Sequence, residues 1–340
     1  MLASFEHEIE MGLDEFRMIR DFIHEKSGIY FAENKMHVVK NRLAKRMAEL
    51  DLKAVRDYFY RVKYDASLCE FNRLMDLVTT NETSFFRNRP QLLSFSTEII
   101  PSILKHKQDR GAPRRIKVWS AGCSTGEEPY TLAILLKECS EHLDEWSLEI
   151  IANDISQRVL RKARLAEYAG PTLHDIPSDA LGRYFTPADG SYRVRPEIKT
   201  LVKFSHMNLN DPRMISLISG VDVVFCRNVM AYFSHEAKKR LVRAFYNALR
   251  PGGYLYVGHA ESLHGISKAF KLAYFRNALV YLKEAAAAPG RAAPVPAREL
   301  QPARATVGLG GAEPWAAAGV LSPPAGVKHE PVNGVSVTGE

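Results

Sequence analysis

The chain has 340 residues, is 46% hydrophobic and carries a net charge of +7, which suits a globular protein with a mildly basic surface. No apolar run is long enough to span a bilayer or to serve as a secretory signal, so we predict a cytoplasmic protein that does not insert into the membrane. The four scattered cysteines and the lack of metal-ligand spacing among the eleven histidines argue against a disulfide framework and predict no metal site.

Residues 1–90 are predicted to form an all-helical domain. From about residue 12 the apolar positions repeat at helical spacing without internal Gly or Pro breaks. Three apolar stripes carry this prediction: Phe16, Ile19, Phe22 and Ile23; Met36, Val39, Leu43, Met47 and Leu50; and Leu68, Phe71, Leu74, Leu77 and Val78.

Residues 91–284 are predicted to form an α/β domain, because short β-rich runs alternate with helical segments from about residue 115. This alternation predicts a mainly parallel, Rossmann-like sheet with helices on both faces and an antiparallel hairpin at one edge. The predicted strands are Ile116–Ala121, Leu148–Asn153, Val202–His206, Val221–Cys226, Tyr254–Gly258 and Ala278–Leu282. The predicted helices include Pro129–Cys139, Ser156–Leu165 and His235–Leu249.

Two segments depart from this alternation. Residues 166–203 are rich in turn formers, and the tight turn at Asp189-Gly190 predicts a small β excursion. Residues 285–340 are dominated by Ala, Pro, Gly and Val without periodicity, which predicts a disordered tail.

The most informative segment is the run from Ile116 to Tyr130, which indicates a buried strand, a glycine-bearing turn and a helix start. The next strand ends in Asp154, where nucleotide-binding sheets hold ribose hydroxyls, so a nucleoside-type ligand is predicted. Two acids in the helix start, Glu127 and Glu128, would repel a phosphate but suit the cationic S-adenosylmethionine.

The same turn leaves a second interpretation open. Gly122, Ser124 and Gly126 match the G-x-S-x-G turn of α/β hydrolases, and Asp222 and His259 follow in the hydrolase order. The hydrolase turn normally follows several strands, whereas this one opens the sheet, and Asp222 begins its strand. An esterase with Ser124 as nucleophile is therefore the alternative function.

Three further segments resemble one family. They are the strings Asn81-Glu82-Thr83-Ser84-Phe85-Phe86-Arg87, Cys226-Arg227-Asn228-Val229-Met230-Ala231-Tyr232-Phe233, and Pro251-Gly252-Gly253 with the strand and exit that follow to Ser262. Together with the Gly122–Tyr130 loop they resemble the CheR family of chemoreceptor glutamate methyltransferases, in the right order from about Asp14 to Lys283.

The resemblance implies an S-adenosylmethionine-dependent enzyme that converts receptor glutamates to methyl esters in chemotaxis adaptation. It implies that Asp154 holds the ribose and that Arg87 and Tyr232 lie near the transferred methyl group. The implied cofactor contacts are Asn81, Thr83, Arg87, Glu128, Asp154, Asn208, Leu209, Arg227 and Asn228. From the residues alone, Asn81 could instead cap a helix and Arg227 could be a surface ion-pair partner.

The implied chemistry needs few catalytic groups. A glutamate side chain, with an unperturbed pKa near ~4.3, is ionised at neutral pH and needs no general base, covalent intermediate or metal. We expect Arg87 to orient a carboxylate, either the cofactor's or the target's, and Tyr232 to align the acceptor oxygen.

The implied partner is the cytoplasmic helical part of a chemoreceptor, bound by a monomeric enzyme. A basic helix from Lys35 to Arg46 is the predicted docking surface, and the β excursion is a second candidate contact. The turn at Asp189-Gly190 is short compared with family members whose β excursion grips a tethering peptide, so tethering is left open. A nucleic-acid methyltransferase would usually carry an N-P-P-Y-like motif, which Cys226–Val229 does not provide, so no nucleic-acid partner is predicted.

Overall fold

Four helices form the amino-terminal part of the computed structural model, which describes residues 9–139, 145–275 and 278–285. They are α1 (Leu13–Ser27), α2 (Met36–Glu49), α3 (Val55–Lys63) and α4 (Cys69–Val78). Most residues of the predicted apolar stripes are buried, and Phe22, Met36, Leu50 and Leu77 are half-buried against the same core. Leu68 precedes α4 in a left-handed conformation and is 58% exposed, so its place in the third stripe was wrong.

A second helical unit leads from this part to the sheet. α5 (Arg89–Ser94), a π-helical turn (Phe95–Ile99) and α6 (Ile100–Asp109) follow one another without a break. The side-chain amide of Gln91 donates to the carbonyl of Val257 at 2.8 Å, which ties α5 to the sheet.

The remaining elements alternate, as the sequence predicted. The strands are β1 (Arg115–Ala121), β2 (Ser147–Asp154), β3 (Glu167–Tyr168), β4 (Phe185–Ala188), β5 (Ser191–Val194), β6 (Val202–His206), β7 (Val221–Cys226), β8 (Leu249–Val257), β9 (Lys271–Phe275) and β10 (Ala278–Leu282). The helices are α7 (Glu127–Glu138), α8 (Gln157–Leu165), α9 (Ser178–Tyr184), α10 (Pro196–Lys199), α11 (Pro212–Ser216) and α12 (His235–Ala248).

Seven of these strands form one sheet, in the spatial order β6-β2-β1-β7-β8-β10-β9. The first five are parallel and β10 is antiparallel to both of its neighbours. The chain order therefore reverses direction between β1 and β7, which is where open α/β sheets bind their ligands. The predicted Rossmann-like α/β class and its antiparallel edge hairpin are confirmed.

β8 differs most from its prediction, because it begins at Leu249 rather than Tyr254. Val221 pairs with Leu249 and Val223 with Tyr254, so a bulge accommodates the Pro-Gly-Gly residues inside the strand. A Pro-Gly-Gly string ordinarily indicates a turn, and only its pairing with β7 makes it part of the strand.

The predicted β excursion is a separate antiparallel sheet of three strands in the order β3-β5-β4. Ala188 pairs with Ser191 across the Asp189-Gly190 turn, in which Gly190 has a φ of 71°. The predicted disordered tail, apart from Ala285, lies outside the described residues. The boundary at residue 90 stays a prediction.

The amino ends of the central strands are held by a buried charge cluster. Asp222, 1% exposed at the start of β7, accepts hydrogen bonds from Lys107 Nζ at 2.9 Å and from the backbone of Lys117 at 2.8 Å. Arg250 forms an ion pair with the other oxygen of Asp222. This cluster lies at the amino ends of the strands, opposite the carboxyl ends, where the reversal of chain order between β1 and β7 leaves a crevice for a ligand.

In the part of the chain that the structure describes, no helix has both the length and the apolar character needed to cross a membrane.

Candidate active site

A cleft of about 1060 Å³ opens at the carboxyl ends of the central strands, between the sheet and the helical part. All ten side chains selected from the sequence line it: Asn81, Thr83, Arg87, Glu128, Asp154, Asn208, Leu209, Arg227, Asn228 and Tyr232.

The loop after β1 forms the floor of the cleft. Gly122 has a φ of +80°, and a Cβ atom on it would lie 2.4 Å from Val229 in the loop after β7. Only glycine permits this approach, which brings the loop after β1 against the loop after β7. The backbone N–H groups of Gly122 and Cys123 both donate to the carbonyl of Asn153 at 2.9 Å.

Asp154, at the end of β2, is 7% exposed and lines the cleft. One carboxylate oxygen accepts the N–H of Ser124 and the other accepts the N–H of Ser156, each at 2.9 Å. Burial raises the pKa of this carboxyl, while the backbone hydrogen bonds oppose the rise. Each oxygen keeps a second lone pair, so a vicinal diol such as that of a ribose fits the donor set.

Glu128 and Arg227 form an ion pair in the wall of the cleft. Arg227 Nε lies 3.4 Å from Glu128 Oε2, and Ser120 donates to Oε1 at 2.7 Å. Burial raises the pKa of Glu128, and the neighbouring guanidinium opposes that rise. Arg227 is only 9% exposed, so it is not the surface ion-pair partner that the sequence left open.

Glu127, the other acid of the helix start, does not line the cleft. It is fully buried, and one carboxylate oxygen accepts a hydrogen bond from Thr125 at 2.6 Å. The sequence argument gave both acids the same electrostatic role toward the ligand, and the structure leaves that role to Glu128 alone.

Arg87 presents an exposed guanidinium to the cleft. Its Nη1 donates to the carbonyl of Glu82 at 3.1 Å, and no carboxylate of a described residue lies within ion-pair distance. Its neighbours Phe86 and Asn88 have positive φ angles of 53° and 62°. Non-glycine residues in this region cost about 1–3 kcal/mol each and cluster at functional sites.

Asn81 and Asn208 use part of their hydrogen-bonding capacity within the protein. The carbonyl of Asn81 accepts the hydroxyl of Ser124 at 3.0 Å, and its side chain donates to Thr79, so Asn81 does not cap a helix. The side-chain amide of Asn208 donates to the carbonyl of Lys26 at 2.7 Å, which links the loop after β6 to the end of α1.

Sequence reasoning missed two groups of residues at this site. Ser27, Ile29 and Phe31, from the connection between α1 and α2, also line the cleft. Glu261, after β8, accepts the backbone N–H groups of Asn228 and Ala231, both at 2.9 Å. The string that contains Glu261 was part of the family resemblance, but nothing in the sequence shows which backbone groups this carboxylate holds.

The geometry does not support the hydrolase alternative. The hydroxyl of Ser124 donates to Asn81, and Asp222 lies in the charge cluster at the other end of the strands. The described residues that line the cleft include no histidine or lysine. A proton-accepting partner for a serine nucleophile is therefore not in place.

Residues 81–279 match the family model described as CheR methyltransferase, SAM binding domain, and residues 14–79 match its all-alpha domain. The chain is 35% identical over 278 residues to Chemotaxis protein methyltransferase 2 of Vibrio cholerae, which covers 82% of this chain and 95% of the relative. It is 34% identical to the chemotaxis protein methyltransferase of Salmonella typhimurium and 31% identical to that of Escherichia coli, in each case over 80% of this chain and 92% of the relative. The chain therefore belongs to the CheR family of S-adenosylmethionine-dependent chemotaxis protein methyltransferases.

Proposed function

We propose that this enzyme methylates glutamate side chains of chemoreceptors, on their cytoplasmic part, and forms glutamate methyl esters. The observation that carries the proposal is Arg87, a guanidinium exposed at the cleft and without a carboxylate partner among the described residues. A side-chain carboxylate that enters the cleft could accept a charge-assisted hydrogen bond from this guanidinium.

An acceptor that arrives already deprotonated suits this cleft, because among the described residues its lining holds no histidine or lysine, and Glu82 is an acid at its exposed side. The two acids that line its deeper wall are committed, Asp154 to two backbone N–H groups and Glu128 to Arg227 and Ser120. A carboxylate with an ordinary pKa near ~4.3 is already deprotonated at neutral pH, whereas an amine or an alcohol is not.

S-Adenosylmethionine supplies a methyl group on a positively charged sulfur. The opposite charges of donor and acceptor cancel as the methyl group moves, so tight pairing of Arg87 with the acceptor would stabilise the ground state more than the transition state. We therefore assign Arg87 an orienting role and Tyr232 the alignment of the acceptor oxygen. Positioning and exclusion of water would provide most of the acceleration.

Asp154 would hold the ribose hydroxyls and Glu128 the positively charged end of the cofactor. Arg227, which Glu128 neutralises in part, would face the cofactor's carboxylate. Asn81, Thr83, Asn208, Leu209 and Asn228 complete the proposed contacts, all of them along the same cleft.

The receptor would dock on α2 by charge complementarity. Lys35, directly before this helix, is exposed, as are His37 and Lys45 on the helix itself. Arg46 forms an ion pair with Glu70 at 2.7 Å, and Arg42 donates to the carbonyl of Val78 at 2.5 Å, so both of these arginines are engaged within the protein. The docking surface is therefore narrower than the full run from Lys35 to Arg46, and the β excursion remains a second candidate contact.

The proposal is tested by incubating the purified protein with methyl-tritiated cofactor and a cytoplasmic receptor fragment. We expect label on the fragment that base treatment releases as methanol, and mass spectrometry should place each added methyl group on a glutamate. A matched fragment with those glutamates replaced by glutamine serves as the control. Base-stable label, or equal label on the control fragment, would contradict the proposal.

A further inference from the structure

The connection between α1 and α2 pairs with the turn that carries Tyr232. Residues 28–30 are called the linker here, and residues 232–234 the tyrosine turn. Ile29 forms an isolated antiparallel bridge with Phe233, and the N–H of Tyr30 donates to the carbonyl of Tyr232 at 2.9 Å. The backbone of the helical part is thus hydrogen-bonded directly to Tyr232, the residue that the proposed function assigns to align the acceptor oxygen.

The other end of the linker depends on Gly28. Its carbonyl accepts the N–H of Ser234 at 3.3 Å, and its φ of +76° ends α1 and turns the chain toward the sheet. A Cβ atom on Gly28 would lie 3.0 Å from the ring of Phe233. A larger residue would therefore strain the backbone and press on the tyrosine turn. The side chains of His24 and Ser234 add a hydrogen bond of 2.8 Å beside this contact.

Tyr232 has few other restraints. The residue is 40% exposed, and its hydroxyl makes no hydrogen bond to any described residue. Its own N–H donates to the carbonyl of Val229 at 3.2 Å in a short 3-10 turn. The direction of the side chain is consequently set by the backbone of the tyrosine turn. The linker bonds to this turn directly, whereas Glu261 holds the preceding residue, Ala231.

Tyr30 bonds to the tyrosine turn through its backbone, and its ring reaches that turn only by way of His24. Its side chain does not line the cleft, whereas its neighbours Ile29 and Phe31 do. The ring of Tyr30 packs edge-on against His24 at 5.6 Å and beneath the guanidinium of Arg20 at 5.4 Å. Its ring can therefore be removed separately from its N–H group.

We infer that the linker is a positioning element for methyl transfer: it holds Tyr232 in register with the acceptor oxygen through the Tyr30–Tyr232 hydrogen bond and the Ile29–Phe233 bridge. This inference rests on the proposed role of Tyr232. It gives the helical part a task in the transfer step that is separate from docking and from cofactor affinity.

The matched variants are Tyr30→Pro, which removes the N–H donor, and Tyr30→Ala, which removes the ring but keeps the donor. Thermal denaturation first establishes that both are folded, and Gly28→Ala provides a second disturbance of the same contact. For each variant we would measure turnover, the dissociation constant of S-adenosylhomocysteine, and amide hydrogen exchange of the peptide that covers Val229–Ser234.

Tyr30→Pro and Gly28→Ala should exchange faster in that peptide and lose about 10- to 100-fold in turnover, the scale of a misplacement of roughly 1 Å. Their affinity for S-adenosylhomocysteine should stay within about 3-fold of the wild type, and Tyr30→Ala should match the wild type in all three measurements. In a Tyr232→Phe background, Tyr30→Pro should cause little further loss of turnover, because both changes act through the same hydroxyl.

If amide exchange of the Val229–Ser234 peptide is unchanged in Tyr30→Pro, the inference is overturned. It is also overturned if the double variant loses turnover by the full product of the losses caused by Tyr30→Pro and Tyr232→Phe alone. The failure of the proposed function is a different result. If the wild-type protein esterifies no receptor fragment, that function is refuted, and the exchange comparison still decides whether the linker holds the tyrosine turn.

Discussion

The carboxylate of Glu261 accepts the backbone N–H of Asn228 at 2.9 Å, and the same oxygen accepts the N–H of Gly258 at 2.7 Å. Its other oxygen accepts the N–H of Ala231 at 2.9 Å. One acid thus fastens the loop after β7 to the loop after β8. Asn228, with a φ of 59°, is held in a conformation that a non-glycine residue rarely adopts.

Glu261→Gln should destabilise the protein, because its amide nitrogen cannot accept an N–H group and would leave at least that of Ala231 without its acceptor. We expect the free energy of unfolding to fall by about 1–3 kcal/mol, the cost of leaving such donors unpaired. Chemical denaturation measures this change. Glu236→Gln, which removes an exposed ion pair with Lys239, should stay within about 0.5 kcal/mol of the wild type. Equal stability of the two variants would show that Glu261 does not hold the loops together.

Asp154→Ala should weaken S-adenosylhomocysteine binding by about tenfold or more, since it removes the acceptors proposed for the ribose hydroxyls. Isothermal titration calorimetry measures the affinity directly. Asp189→Ala, in the exposed turn between β4 and β5, is the control and should bind as the wild type does. Unaltered affinity in Asp154→Ala would refute the nucleoside assignment of the cleft.

Arg87→Ala should lower turnover by roughly 100-fold while changing S-adenosylhomocysteine affinity by no more than about 3-fold, if the arginine orients the target carboxylate. Steady-state kinetics and calorimetry on the same preparation separate the two effects. Arg89→Ala removes a nearby exposed guanidinium that donates only weakly to Asp175, at 3.4 Å, and should have little effect on either measurement. Equal losses of turnover and affinity in Arg87→Ala would reassign this residue to the cofactor.

Lys35→Glu combined with Lys45→Glu should reduce kcat/KM for a receptor fragment several-fold at low ionic strength, and the deficit should shrink as salt screens the charges. Assays at two salt concentrations measure this dependence. Lys105→Glu with Arg110→Glu makes the same charge change at the end of α6 and should leave kcat/KM near the wild-type value. A deficit that is equal in both double variants would remove α2 from the docking surface.

The Arg46–Glu70 pair should make stability depend on pH in the acid range. Hydrogen bonds from Arg46 lower the pKa of Glu70 below its ordinary value, although burial opposes them. The stabilisation is therefore complete above the unfolded-state pKa near ~4.3 and is lost as the pH falls through the lower folded-state pKa. Glu70→Gln should be destabilised relative to the wild type at pH 7 and approach it near pH 3. A constant difference between these pH values would contradict this linkage.

β6, β7 and β10 have the predicted bounds. β7 is buried along its whole length, as expected of a central strand in a parallel sheet, whereas β6 and β10, nearer the sheet edges, alternate buried and more exposed positions. α3 was not identified, although Val55, Tyr58, Phe59 and Val62 follow helical spacing and are buried. This spacing was sufficient to predict α3 from the sequence.

The composition of the cleft was only partly accessible to sequence reasoning. Residues in recognisable strings, such as Arg87 and Asp154, could be selected in advance. Ile29 and Phe31 could not, because the connection between α1 and α2 reaches the cleft only through packing between segments far apart in the chain, and no local pattern records such a contact.

The two ends of β7 lie in opposite environments. Near its start, Asp222 is enclosed by Lys107 and Arg250, while its end leads to Arg227 and Asn228 in the cleft. The start of β7 thus contributes to the buried charge cluster, and its end contributes to the cleft. Natural variation near Asp222 should accordingly alter how much intact enzyme a cell retains, and variation after Cys226 should alter how fast each surviving molecule works.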